Sequence, residues 1–161
     1  MDSQHLIQAR LTKGVAERAK ALIGKPYKHL GRGAHGVDCL GLAAYALDKR
    51  VEDYVPADMG DTGYFVDVSW DRKKKSAENR ANSELLTQFV SQHLLEVQWS
   101  VMKAGDLITF SVKLGEGYPD HVGIFIGDGQ FVHATKDGVV EQELTQNWLA
   151  RTIGCYRIKN G

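Results

Sequence analysis

The chain has 161 residues, enough for one domain whose core needs neither disulfides nor a metal to hold it, and twenty basic residues balance twenty acidic ones. That balance leaves no electrostatic footprint for nucleic acid or for an anionic membrane surface. No window approaches the roughly eighteen apolar residues of a membrane span, so the expectation is one unit over residues 1–161, a monomer by default.

Residues 1–20 contain no apolar h-region of a secretory leader, so the chain is expected to be made in the cytoplasm. Leu6, Ile7, Leu11, Val15, Ala19, Leu22 and Ile23 recur every three or four residues, which predicts an amphipathic helix stopped by Gly24 and Pro26. "KHLGRGAHG", residues 28–36, reads as a glycine-rich loop delivering the chain to Asp38. Asp38 is a good helix N-cap, and a helix is expected to run from it to about Lys49 through Leu40, Leu42, Ala43, Ala46 and Leu47. Cys39 then sits in a first turn, where unpaired backbone N–H groups and the positive helix end favour thiolate over thiol.

Residues 51–82 mix Pro56, Gly60, Gly63, aromatics and charges without clean periodicity and read as an irregular insertion that walls a cleft. The basic run Arg72 to Lys75 within it reads as a solvated loop. "SELLTQFVSQHLLEV" regains helical spacing through Leu85, Leu86, Phe89, Val90, Leu94 and Leu95. The pattern then changes to short apolar runs, "DLITF", "HVGIFIG", "QFVHA", "GVVEQEL" and "GCYRI", divided by the turns "GEGYPD", "GDG" and "KDG". Helices first and an antiparallel sheet afterwards make an α+β domain.

His121 opens one of these strands and His133 lies in the next, and a hairpin closed at Asp128 and Gly129 brings the two near each other across the ladder. A thiolate at a helix start needs a base, and the base needs an orienting partner; Cys39, His121 and His133 can fill those three roles of a cysteine-hydrolase triad. Cys155, His5, His29, His35 and His93 read as packing or surface residues, with His29 and His35 close enough to Cys39 to line a cleft. The two cysteines form no CxxC pair, which argues against a redox motif or a zinc knuckle.

"GKPYKHLGRGAHGVDCLGLAAYAL", then "KAGDLITF", then "DHVGIFIGDGQFVHA" resemble the successive motifs of the NlpC/P60 family of papain-like cysteine peptidases, from about Ala9 to Ile158. The resemblance implies a papain-like α+β fold, cleavage of peptidoglycan stem peptides, and no cofactor. It implies Cys39 as nucleophile, His121 as base and His133 as the third, polar triad member. Tyr27 matches a family tyrosine at the active site that helps bind substrate or the oxyanion, Asp38 and Leu40 beside the nucleophile are expected to serve as substrate-binding or oxyanion residues with it, and Ala104 to Leu107 matches a structural strand-entry motif.

The family commonly reads Asp-Cys-Ser-Gly, and the serine contacts substrate in members that cut next to a γ-linked D-glutamate. Leu40 replaces it here. Asp-Cys-Leu-Gly-Leu and the closing "GVVEQELTQNWLARTIGCYRI" resemble instead the single-domain subgroup encoded with phage and prophage tail genes, which implies delivery to the cell wall by a tail or secretion apparatus. Three other readings remain at this stage: an amidase or acyltransferase on another substrate, a metal site using Cys39, His121 and His133, and a non-catalytic tail or wall-binding protein.

Overall fold

The computed structural model describes residues 14–28, 31–33, 35–47, 84, 86–88, 90–112 and 119–159. Residues 51–82, expected to wall a cleft, lie outside the described residues, as do the first half of the N-terminal helix and residues 48–50.

The described part of the first helix, α1, covers residues 14–21 and turns at 22–24, where the spacing and Gly24 place its end. Val15, Ala16, Ala19 and Leu22 form its buried stripe. Helix α2, Cys39–Ala46, is almost wholly buried, with only Tyr45 reaching solvent. Arg18 on α1 donates from Nε to the Ala46 carbonyl at 2.8 Å, a cation closing the negative end of α2. A third helix, α3, covers the described residues 84, 86–88 and 90–93.

Within the glycine-rich loop the chain forms a two-stranded hairpin of β1, Arg32–Gly33, and β2, Gly36–Val37, which the sequence pattern did not predict. The main sheet holds β3, Leu94–Glu96; β4, Leu107–Phe110; β5, His121–Gly127; β6, Gln130–Thr135; β7, Gly138–Glu143; and β8, Thr152–Ile158. Its order is β3-β8-β4-β5-β6-β7 with every neighbour antiparallel. The α+β expectation therefore holds.

Two elements differ from the sequence reading. Leu94 and Leu95, expected to continue the third helix, begin edge strand β3, where Leu94 pairs with Ile158 and Leu95 with Arg157. An apolar pair satisfies either period, and the open edge of β8 decides between them. Between β7 and β8 the chain also makes a one-turn helix, α4, Gln146–Leu149, capped by Thr145.

The sheet separates two apolar layers. One face packs Leu107, Val122, Ile124, Val132, Ala134 and Val139 against α1 and α2. The other carries Ile108, Phe110, Phe125 and Phe131 under Trp148 of α4. Asp106, at the entry to β4, is fully buried and accepts from Arg157 Nε at 2.7 Å and Nη2 at 2.8 Å, so the strand-entry motif ties β4 to β8.

Candidate active site

Cys39 occupies the first position of α2, and the local sequence explains why the helix starts there. Asp38 has extended backbone and its Oδ1 accepts from the Gly41 N–H at 2.7 Å, so the expected N-cap is present. Gly41 is required by packing: a Cβ there would run into the Gly31 carbonyl, and a Cβ at Gly31 would run into Gly36. The glycine-rich loop thus lies directly on the helix turn that carries the thiol. Leu40 is buried in the core, and the Asp38 carboxylate is buried in the cap.

Tyr27 is brought to the same place by backbone bonds. It bridges Val37 in a parallel sense, with Lys28 N–H donating to the Val37 carbonyl and Val37 N–H to the Pro26 carbonyl. Just before it, Gly24 N–H donates to the Val139 carbonyl and Val139 N–H to the Lys25 carbonyl, which anchors the segment to β7.

The two histidines come from the sheet. The β5–β6 turn, Asp128-Gly129, has positive φ at both residues, the conformation a tight two-residue hairpin demands. Gly127 pairs with Gln130, but a bulge between Phe125 and Gly127 shifts the ladder so that Ile124 pairs with Val132. An unbulged ladder would place His133 opposite Ile124 and on the other face from His121; the one-residue shift puts both rings on one face. Gly123 leaves the room this needs, since a Cβ there would sit 2.9 Å from Phe131 Cδ2 and 3.4 Å from His133 Cβ.

On that face His121 Nε2 and His133 Nδ1 are hydrogen-bonded at 2.9 Å, and His133 Nε2 lies 2.7 Å from Gln142 Oε1. Phe110, Phe131 and Trp148 pack around the pair, with the indole edge-on to the His133 ring at a centroid distance of 5.0 Å. Arg151 lies over the outer side of Trp148, 5.7 Å from the ring centroid. Both histidines are fully buried. Burial holds His121 well below the ordinary imidazole value, and neighbouring His133 pushes the same way. Burial lowers His133 to about 4, while its hydrogen bond with Gln142 opposes the shift. Both rings are therefore neutral near neutral pH.

The structure brings His121 and His133 into direct contact and packs α2, which begins at Cys39, against β5 and β6. Gln142 and Trp148 join this site without having been singled out in the sequence. His35 is exposed in the β1–β2 turn and His93 half-buried at the end of α3, both away from the histidine pair in sequence and element; His5 and His29 lie outside the described residues. Burial pushes the Cys155 thiol up to about 12, with the Asp106 carboxylate adding to it, so Cys155 is an inert packing thiol. Among the described residues no three His, Cys, Asp or Glu side chains converge as a metal site, and none of the helices is long and apolar enough to cross a membrane.

The model of the NlpC/P60 family matches residues 24–157. The chain is 30% identical over 147 residues to the probable peptidoglycan endopeptidase LytE of Bacillus subtilis, covering 86% of this chain and 32% of that protein. It is 26% identical over 153 residues to the murein DD-endopeptidase MepH of Escherichia coli, covering 92% of this chain and 46% of that one. It thus spans about a third to a half of these curated relatives. Among solved structures, an NLP/P60-family protein similar to a lipoprotein from Staphylococcus aureus matches all of this chain and 43% of its own at a TM-score of 0.61 and 21% identity. RipD of Mycobacterium tuberculosis, described as a non-catalytic NlpC/p60 domain adapted to binding peptidoglycan, matches 92% of this chain and 96% of its own at 0.53 and 19%.

Proposed function

Because the chain belongs to the NlpC/P60 family, we propose that it is a cysteine peptidase that hydrolyses amide bonds in peptidoglycan stem peptides, with Cys39 as nucleophile, His121 as base and His133 as the residue that orients the base. The observation that carries this reading is the 2.9 Å bond between His121 Nε2 and His133 Nδ1, on strands packed against the helix that Cys39 opens. With Nε2 engaged by His133, Nδ1 is the His121 nitrogen that takes the thiol proton.

The thiolate attacks the carbonyl carbon, the C–N bond breaks, and the amine leaves with the proton returned by His121, giving a thioester. Water, deprotonated by His121, then hydrolyses the thioester and regenerates the thiol. The Cys39 N–H at the start of α2 is the natural oxyanion donor, with the Tyr27 hydroxyl as a second. No cofactor enters these steps. A metal site made from the same residues is disfavoured by the donor set, because two of the four imidazole nitrogens bond to each other and a third bonds to Gln142.

Delivery to the wall by a phage tail or secretion apparatus is part of the proposal, supported by the resemblance of the "DCLGL" stretch and the C-terminal sequence to tail-associated members. A second reading, peptidoglycan binding without cleavage, is favoured by the burial of Cys39, 1% exposed, and by the precedent of RipD. Digestion of purified peptidoglycan by the wild type and by Cys39→Ala, with the products identified by mass spectrometry, separates the two. New amino termini in stem peptides, released only by the wild type, establish the peptidase and its bond. Equal binding with no release by either protein establishes the wall-binding module.

A further inference from the structure

We propose that Gln142 is a positioning residue for this chemistry: its carboxamide oxygen selects, through His133, the His121 tautomer whose Nδ1 is unprotonated and able to accept the Cys39 proton. This rests on the peptidase reading above.

Proton positions are linked along a chain of three side chains, Gln142, His133 and His121. A carboxamide oxygen accepts and never donates, so the 2.7 Å bond from Gln142 Oε1 requires the proton of His133 to be on Nε2. A neutral imidazole carries one N–H, so His133 Nδ1 is an acceptor. The 2.9 Å bond to that nitrogen then requires the proton of His121 to be on Nε2, which leaves Nδ1 with a lone pair. Burial keeps both rings neutral, so the tautomer is the variable left to set.

Reversing the amide reverses the whole chain. The Gln142 NH2 would donate to His133 Nε2, His133 Nδ1–H would donate to His121 Nε2, and His121 would carry its proton on Nδ1, where it cannot act as base. The orientation of one amide on β7 thus decides whether a ring two strands away is competent. Gln142 is suitably placed: it pairs with Phe131 across the β6–β7 ladder while His133 pairs with Val140, so it approaches His133 diagonally on the same face. It is half-buried on β7.

The test reads the rings directly. In the full chain labelled with 15N-histidine, NMR at neutral pH is expected to show His121 and His133 both protonated on Nε2. Gln142→Met, which keeps the length and loses the acceptor, should blur both rings into mixed tautomers. It should also slow Cys39 alkylation by iodoacetamide, read by peptide mapping, and lower kcat on peptidoglycan by about tenfold to a hundredfold with KM unchanged. Gln142→Glu, an obligate acceptor, should restore the tautomers and most of the rate while moving the acid limb of the pH profile upward.

Wild-type protein with His133 protonated on Nδ1, or a folded Gln142→Met with both tautomers intact, overturns the role of Gln142. If Gln142→Met does not fold, the wild-type spectrum and Gln142→Glu decide the matter. A wild type that cleaves no peptidoglycan overturns the peptidase reading, and the tautomers, read without substrate, then support or overturn the Gln142 assignment separately.

Discussion

Acidification is expected to destabilise this fold, because two imidazoles are stored in the neutral state in one buried pair. His133 is lowered to about 4 and His121 is held well below the ordinary value, chiefly by burial. In the unfolded chain the same rings bind protons at about pH 6.5. The unfolded state therefore takes up protons first as pH falls, so the contribution of the neutral rings is complete above about pH 6.5 and drains away as pH drops toward about 4. At about pH 5 the solution is roughly 1.5 units below the unfolded value, which at about 1.4 kcal/mol per unit is about 2 kcal/mol for His133, and His121 adds to the loss in the same direction. Against a total stability of about 5–15 kcal/mol this is a large fraction. Urea unfolding followed by tryptophan fluorescence at about pH 7, 6 and 5 measures it, with the His121→Gln, His133→Asn double variant as control. Wild-type stability that is flat over this interval, or a loss of equal size in the double variant, would refute the reasoning.

Two further outcomes test the supports of the site. Gly41→Ala should cost about 1–3 kcal/mol in urea unfolding, because its methyl meets the Gly31 carbonyl, and should also slow Cys39 alkylation by displacing the first turn of α2. Arg157→Met should cost about 3–5 kcal/mol in the same urea unfolding assay, since it strands the fully buried Asp106 carboxylate without its bidentate partner.

The sequence made the helix half of the site legible because its determinants are local. Asp38, Cys39 and Gly41 lie within four consecutive positions, and capping and close packing leave their mark there as residue types. The Asp128-Gly129 turn likewise announced the hairpin that carries the histidines. What decides their shared face, the bulge between Phe125 and Gly127, leaves a weaker mark: Gly127 takes a φ of +90° that glycine adopts freely, but beside Asp128-Gly129 it reads equally as part of the turn. Gln142 and Trp148 were invisible for a different reason. In "GVVEQEL" Gln142 is one polar residue between two glutamates, and Trp148 lies in a one-turn helix too short to show a period, so only the assembled sheet reveals that both meet His133.

The two halves of the site are built by separate means and are packed against each other. The thiol is set by the cap and by loop glycines, and the base by a ladder shift and a hydrogen-bonded chain ending on β7. Holding them in register is the apolar layer shared by α2 and β5, to which Leu40, Ala43, Val122 and Ile124 belong. Near-attack geometry tolerates errors of well under an ångström. A substitution in that layer, such as Val122→Ala, therefore leaves the His121–His133 bond and the Asp38 cap intact. It should nonetheless reduce kcat by more than its stability cost would suggest, because it moves one half of the catalytic pair against the other.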